Sequence, residues 1–488
     1  MEDAPSLSIV DFVVIFLYFI TIIAVGFLGA RFSKTKEDYL VAGRRLSFPL
    51  FFGCMAAMAL GGGSTVGSTG LGYQFGFGGI WLNLSIGLGL ALTGLLIASK
   101  LSKLRALSVN EVVERSYGPT ARVFSSVLTL VYTLALSVTQ VLAIGTVIHG
   151  ILGTNPIASI AAGGGIVVAY TLVGGMWSVT MTDLVQFIVK TVGVVILAPL
   201  FCIIAAGGWD TLVGAIPQEY LSPASMGFDR SFAYVVLYVP GLIIGQDIWQ
   251  RIFTAKNDRV SKRGTIGAGL YSIVYAFATV IIGMSAFALL PHLDNPEDAF
   301  VMGVSAFLPE GVRGVILAAA MAAAMSVSSG TILASSTVLY NDLYKRFINT
   351  KPAGMREISV TRICVLIVGT AVMMCALWIN DVLAGIDISY GYLSGCVFVP
   401  LMASFVLKRF SPKAGLASLA TSAIVVTVCF ATLGVGSSVP IIAGMASGLA
   451  SYILANMLDT KDRVDSPLGK PEKQVAEGRG TETRRPSG

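Results

Sequence analysis

The chain has little charge and almost no histidine. Of its 488 residues, 12% are Asp, Glu, Lys or Arg, two are histidines and 55% are hydrophobic. This composition excludes an ordinary soluble domain and is typical of a membrane protein with many spans. The six cysteines lie within apolar runs and show no CxxC spacing, which argues against a disulfide framework or a metal site. An enzyme is the least expected class, because no cluster of nucleophilic or metal-binding residues is present.

Apolar runs long enough to cross a bilayer recur along the chain. They predict an all-α polytopic membrane protein with 13 transmembrane helices, numbered 1 to 13 in chain order. The predicted ranges are roughly 8–30, 48–73, 78–98, 120–149, 157–174, 179–206, 232–250, 264–290, 313–341, 358–380, 382–406, 413–433 and 438–457. Residues 458–488 are polar and lack apolar periodicity, which predicts a disordered cytoplasmic tail.

The basic residues predict the orientation in the membrane. If the N-terminus is outside, all of the 33 Lys and Arg lie in cytoplasmic loops or in the tail, except Lys190, Arg230 and Arg313. This N-out, C-in topology obeys the positive-inside rule. The net charge of +6 then follows from topology and implies no nucleic-acid partner. The expected partners are the lipid bilayer and a small-molecule substrate, and the expected functional unit is a monomer. Compact loops favour a bacterial inner (plasma) membrane.

Helix 2 is unusually rich in glycine between residues 55 and 73. Glycine lowers helix propensity, and backbone groups freed inside a membrane are tolerated only where they line a cavity or bind something. A glycine-interrupted helix therefore indicates an ion or solute site near the midplane of a secondary transporter. Close helix packing through small residues is the alternative explanation.

Several segments together resemble the sodium:solute symporter family. They are Asp38–Leu46, the glycine-rich part of helix 2, Tyr170–Gln186, Gly245–Arg251, Ala322–Ser336 and Asp342–Lys345, and the resemblance spans roughly residues 8–410. It implies a leucine-transporter-like fold, in which helices 2–6 and 7–11 form two inverted five-helix repeats with helices 2 and 7 broken. Pro240 and Gly245 supply helix-breaking residues in helix 7. The implied domains are 1–44 (helix 1 and a cytoplasmic loop), 45–206 (first repeat), 207–410 (second repeat), 411–457 (helices 12 and 13) and the tail 458–488.

The resemblance also implies a sodium ion between helices 2 and 9. Its expected ligands are the backbone carbonyls of Ala57, Leu60 and Ala323 and the hydroxyl of Ser326. The family's second hydroxyl position is Val327 in this chain, and valine supplies no oxygen. Sodium could therefore bind weakly with water as a further ligand, bind at a neighbouring site, or not be used.

Two nearby features bear on these alternatives. A neighbouring sodium site used by some relatives would be built from Asp183, Ser326 and Ser329, and the two serines share a helix face. Lys190 lies near the midplane of predicted helix 6, where a charge is costly. Its ammonium could replace the cation or carry a proton, so proton coupling remains an alternative to sodium. A structural pairing of Lys190 with an acid, or snorkelling of its side chain toward the membrane surface, also stays open.

Position in the family predicts which residues contact the substrate. Hydroxyl, amide and aromatic groups suit a small polar organic molecule, and an acid at membrane depth favours an amine or a zwitterion. For each of the two tyrosines in helix 11 taken alone, simple packing with the hydroxyl at an interface is the favoured explanation. The candidates are Ser64, Thr65, Ser137, Gln140, Gln246, Asp247, Trp249, Tyr390 and Tyr392.

The motifs are closest to those of the choline-transporter branch, but choline itself is not predicted. That branch needs an aromatic cage for a quaternary amine. The cage positions correspond to Ala59 and Gly245 here, and neither is aromatic.

The sequence therefore predicts a secondary active transporter that carries a small polar organic solute with sodium by alternating access. The alternatives are a proton-coupled or uncoupled carrier that uses Lys190 and Asp183, or a membrane sensor with the same fold. A sensor would need a cytoplasmic output domain, and the short polar tail offers none.

Overall fold

The computed structural model describes residues 7–348, 355–378, 382–435, 437–460 and 463–466. The described chain is almost entirely helical, and its helices pack into a bundle. Large apolar side chains remain exposed around the outside of this bundle, including Phe16 at 65% and Phe228 at 78% exposure. An apolar outer surface is what a bilayer requires of a membrane-embedded bundle, whereas water would oppose it.

The labels of the predicted helices are kept for the observed ones. In the first half, the loops carry the short helices Lys36–Val41, Ala98–Leu104 and Val109–Tyr117. The long helices are helix 1 (Ile9–Ala30), helix 2 in two segments (Phe48–Ala59 and 63–75), helix 3 (Trp81–Leu96), helix 4 (Pro119–Leu152), and helices 5 and 6 within Pro156–Lys190 and its continuation to residue 205.

In the second half, the loops carry the short helices Trp209–Ala215 and Ala299–Phe307. The long helices are helix 7 in two segments (Phe228–Ile244 and Gln246–Ile252), helix 8 (Asp258–Leu289), helix 9 (Val312–Val338, continuing to residue 347), helix 10 (Met355–Ala376), helix 11 (Val382–Tyr392, continuing to residue 406), helix 12 (Pro412–Leu433) and helix 13 (Val439–Leu458).

The number of spans differs from the prediction. Among the described residues, ten helices are long and apolar enough to cross a membrane, or eleven if the bent helix 7 is one span. The ten count Gly63–Leu96 and Pro156–Ala205 as one span each, but each run consists of helical segments that meet at a turn and correspond in part to the predicted helix pairs 2/3 and 5/6. Each run is interrupted by a glycine with positive φ, Gly76 at 52° and Gly175 at 58°. Length and apolar composition do not separate the pairs at these turns, so the count of 13 and the N-out topology stay predictions.

Helix 9 forms the centre of the bundle. It packs against helices 1 and 4 and the helix 5–6 run, and nearly all of its side chains are buried. Its sequence is dominated by alanine, serine and glycine between residues 318 and 336. Small side chains let neighbouring helices approach closely, and the serine hydroxyls can bond to backbone carbonyls instead of remaining unsatisfied in an apolar interior. This close packing brings helix 9 against the break in helix 2.

The start of the C-terminal tail is ordered, contrary to the prediction. Val464–Asp465 pairs antiparallel with Arg409–Phe410 in a two-stranded ladder. Ser466 extends the pairing, because its amide donates to the Lys408 carbonyl at 2.8 Å. Backbone pairing with the loop after helix 11 therefore overrides the polar composition of this segment. Residues 467–488 lie outside the described residues, and the inverted-repeat division of the chain stays a prediction.

Candidate functional site

Helix 2 is broken where its glycines predict. The first segment ends at Ala59, Leu60 takes an extended conformation with φ −121° and ψ 92°, and helical structure resumes at Gly63. Gly61 also permits a close approach, since a Cβ there would lie 2.4 Å from Oε1 of Gln140. The interruption leaves the carbonyls of Ala57 and Leu60 without helical partners, so they are available to a cation or a donor.

Helix 7 is broken at Gly245. Its two segments meet at an angle of 42°, and Gly245 itself is not helical, with ψ 127°. The freed carbonyl of Ile243 accepts a hydrogen bond from Nε1 of Trp249 at 2.8 Å. The carbonyl of Leu242 accepts from the Thr93 hydroxyl at 3.1 Å. The indole N–H of Trp249, a predicted substrate contact, thus satisfies the break itself, and a substrate role for Trp249 stays a prediction.

The expected sodium ligands come together between helices 2 and 9. The Ser326 hydroxyl donates to the carbonyls of Ala57 and Ala323, each at 2.9 Å. The side chain of Val327 is also buried and contributes no oxygen. Three of the four expected sodium ligands are thus in direct contact. The fourth, the Leu60 carbonyl, belongs to the same break in helix 2.

A lysine side chain reaches these same oxygens. Lys190 is fully buried, and its Nζ donates to the carbonyl of Ala57 at 2.5 Å and to that of Leu60 at 2.8 Å. The pairing with an acid that the sequence left open is not the observed contact. The ammonium is held instead by the two carbonyls that the break in helix 2 exposes.

The carboxylate of the alternative sodium site is bonded to other protein groups. Asp183 accepts a hydrogen bond from Nη2 of Arg251 at 2.9 Å and another from the Cys54 thiol at 3.0 Å, and both Asp183 and Arg251 are buried. The Ser329 hydroxyl donates to the Ser326 carbonyl at 3.2 Å. Asp183 is thus engaged by a guanidinium, and its role as a sodium ligand stays a prediction.

A small, partly open cavity lies between the two helix breaks. Four of the predicted substrate residues line it, namely Ser64, Gln140, Asp247 and Tyr390. The space between its lining atoms, open solvent included, totals about 430 Å³, so only a small molecule could bind there. The rest of its lining is formed by Met58, Ala59, Gly61, Gly63, Ile86, Leu136, Tyr238, Leu242, Ile248, Val327 and Ile386.

The other predicted substrate residues lie outside this cavity. Thr65 bonds with the Tyr275 hydroxyl at 2.6 Å. The Ser137 hydroxyl donates to Oγ1 of Thr331 at 2.7 Å. Each is therefore occupied in packing one helix on another, and a substrate role for either stays a prediction.

Gln246 and Tyr392 are also occupied elsewhere. Oε1 of Gln246 accepts from the Val109 amide at 2.7 Å, at the start of the loop helix Val109–Tyr117. The Tyr392 hydroxyl bonds with Oγ1 of Thr427 in helix 12 at 3.0 Å. Tyr392 thus matches the packing explanation better than substrate contact.

Three important residues were missed by sequence reasoning. Tyr132 donates its hydroxyl to Oδ1 of Asp247 at 2.7 Å, and Tyr238 stacks edge-on against Tyr390 with ring centroids 5.0 Å apart. Arg251 is buried against Asp183. Tyr238 lies two residues before Pro240, so its closeness to the break was a usable signal. The partners of Tyr132 and Arg251 are on distant helices, and only the packing of those helices reveals them.

Comparison with known proteins assigns the chain to a family. The model of the sodium:solute symporter family matches residues 39–421. The chain belongs to the sodium:solute symporter family. Sodium is the coupling ion of this family, and membership supports sodium as the coupling ion of this chain. The protein is accordingly a multi-pass membrane transporter and not an enzyme.

Individual relatives agree with the family. The chain is 25% identical to the high-affinity proline transporter PutP of Bacillus subtilis over 458 residues, covering 89% of this chain and 95% of that protein. It is 22% identical to the sodium/sialic acid symporter SiaT of Proteus mirabilis, covering 96% and 97%. A solved Na⁺-coupled sialic acid symporter in a substrate-bound outward-open state superposes with a TM-score of 0.82 at 20% identity, over 93% of this chain and 98% of that one. This likeness shows the fold.

Proposed function

We propose that this protein imports a small polar organic solute that carries a positively charged amine, such as a zwitterionic amino acid, with sodium as the coupling ion. The observation that carries the substrate class is the carboxyl group of Asp247 in the wall of the cavity between the two helix breaks. Asp247 is 2% exposed. A buried carboxylate beside a cavity attracts a substrate cation, because its alternative is an uncompensated charge in an apolar interior.

The remaining lining fits the rest of such a molecule. None of the described residues that line the cavity is Lys or Arg, which disfavours a multiply charged anion. The second segment of helix 2 begins at Gly63 beside the cavity, and the positive end of a helix dipole can hold a single carboxylate. The rings of Tyr238 and Tyr390 offer π faces to an ammonium group. A zwitterion would thus find one complementary surface for each of its charges.

The surroundings of the cavity favour uptake. Tyr238 and Ile386 line both the cavity and a wider opening that includes Phe75 and Arg230, on the outer side of the predicted topology. These two side chains are therefore the thin barrier between the substrate cavity and the outside.

The opposite side is closed by a polar network at the end of helix 9. Oδ1 of Asp342 accepts from Arg122 at 2.6 Å and from Ser108 at 2.9 Å, and Oδ2 accepts from Asn110 at 2.9 Å. Because these groups belong to three separate segments, opening toward the cytoplasm requires the network to break. The proposed transport cycle alternates between this closed inner side and a closed outer side.

Ligand-dependent stability of the purified protein tests the substrate class. A panel would compare zwitterionic amino acids and betaines with sialic acid and neutral sugars, in sodium buffer. At least one amine-bearing zwitterion is expected to raise the melting temperature of the wild type, because a ligand that binds only the folded state stabilises it by mass action. Asp247→Asn should abolish that shift.

The matched control is Asp294→Asn, which changes an exposed aspartate in an outer loop and should keep the shift. Reconstituted vesicles with an imposed sodium gradient then measure uptake of the ligand that was found. Stabilisation of the wild type by compounds without an amine, unchanged in Asp247→Asn, would contradict the proposal.

A further inference from the structure

We infer that the ammonium of Lys190 is the resident cation of the site between helices 2 and 9, and that it excludes sodium from this site. The inference builds on the proposed transport function, but it concerns which cation the helix 2 carbonyls hold. Its first support is geometric. Nζ donates to the carbonyls of Ala57 and Leu60, which are two of the four oxygens expected to bind sodium.

The local backbone favours a positive charge at this point. The first segment of helix 2, Phe48–Ala59, ends at the break, and the carboxyl end of a helix carries partial negative charge. The extended conformation of Leu60 turns one further carbonyl toward the same volume. The Ser326 hydroxyl bonds to the Ala57 carbonyl from the other side, so this carbonyl joins helices 2, 6 and 9.

Sodium and the ammonium cannot share the site. With Lys190 in place, the Ala57 and Leu60 carbonyls are occupied, and the remaining expected oxygens are the Ala323 carbonyl and the Ser326 hydroxyl. Val327 supplies no further oxygen. Two positive charges within a few ångströms of each other in a buried site also repel strongly, because little solvent screens them.

Asp183, the nearby acid in helix 6, is not the hydrogen-bond partner of the Lys190 ammonium. Asp183 lies two helical turns before Lys190, about 10 Å along the axis, and is paired with Arg251 at 2.9 Å. The carbonyls are therefore the direct partners of the ammonium. Where the family places a diffusible ion between helices 2 and 9, this chain places a cation tethered to helix 6. A coupling sodium ion must consequently bind at a different position.

A sodium titration of stability tests the inference without any substrate. The full-length protein, purified in detergent, would be melted in sodium chloride and in potassium chloride at matched ionic strength. The variants are Lys190→Ala, Lys190→Ala combined with Ser326→Ala, and Ser326→Ala alone. Lys256→Ala, at an exposed lysine, is the control.

We expect Lys190→Ala to acquire a sodium-specific stabilisation whose midpoint lies at least about tenfold below that of any wild-type response, and addition of Ser326→Ala should remove it. The inference is overturned if Lys190→Ala titrates like the wild type, or if its new sodium response survives the added Ser326→Ala.

Two features keep the test decisive. If Lys190→Ala does not fold, Lys190→Gln retains hydrogen-bond donors without the charge and takes its place. Failure of the substrate panel would leave the sodium titration unaffected, so the two proposals can fail separately.

Discussion

The buried ion pair of Asp183 and Arg251 leads to a prediction about stability. The two groups lie 2.9 Å apart, and their side chains are 0% and 1% exposed. Asp183→Asn keeps the shape of the side chain and removes its charge. The guanidinium then remains in an apolar interior without its counter-ion. The guanidinium lies directly against Gly330, where a Cβ would lie 2.5 Å from Nη2 of Arg251, so only a glycine leaves room for it.

The expected cost is large for a single atom exchange. Breaking a buried pair by removing one partner typically destabilises a protein by about 3–5 kcal/mol, because one uncompensated charge is left behind. Exchange of both partners for neutral groups is often close to neutral. We therefore expect Asp183→Asn to lose about 3–5 kcal/mol of unfolding free energy, and Asp183→Asn with Arg251→Gln to lose less than Asp183→Asn alone.

Thermal unfolding in detergent, followed by size-exclusion chromatography of heated samples, measures these differences. Asp258→Asn is the matched control, because Asp258 forms an exposed pair with Lys103 at 3.8 Å and should change stability by less than about 1 kcal/mol. The reasoning is refuted if Asp183→Asn is as stable as the wild type, or if the costs of the two substitutions simply add. A stable Asp183→Asn that had lost its sodium response would instead make Asp183 an ion ligand.

Two further predictions concern the cavity and the loop helix Val109–Tyr117, which carries Glu114. Gly61→Ala should abolish ligand-induced stabilisation, because the added Cβ would lie 2.4 Å from the amide oxygen of the helix 4 glutamine, whereas Gly165→Ala, with nothing within 4 Å of its Cβ, should retain it. Burial raises the pKa of Glu114, but Arg122 and Arg346 outweigh burial and hold that pKa below its ordinary value of 4.5. Its stabilising effect is therefore present at neutral pH and lost as pH falls through the folded-state pKa. Melting curves between about pH 3 and pH 7 should show a smaller loss of stability on acidification in Glu114→Gln than in the wild type.

The sequence determined the class of the protein and the places where its helices break. Apolar runs and low charge require a bilayer, and glycines or proline within such runs free backbone carbonyls at predictable positions. The set of Ala57, Leu60, Ala323 and Ser326 was implied by the family resemblance, and the structure brings these residues together, while their binding of sodium stays a prediction. The class and the helix breaks depend on local chain chemistry, which a sequence displays directly.

The helix count depends on how the chain turns at glycines. Gly76 and Gly175 have positive φ within the runs Gly63–Leu96 and Pro156–Ala205, so each run holds helical segments that meet at a turn. Short-range turn geometry at a glycine depends on what the turn packs against. A run of residue types does not contain that information.

Only the tertiary structure decided which partner each buried charge would have. The sequence placed Lys190 near the midplane and Asp183 seven residues before it, and an acid–base pair was one of several open explanations. The fold instead sends Lys190 to the carbonyls of helix 2 and Arg251 to Asp183. Each buried charge must find a partner, but the choice depends on which helices cross at the same depth, and that is set by packing between segments far apart in the chain.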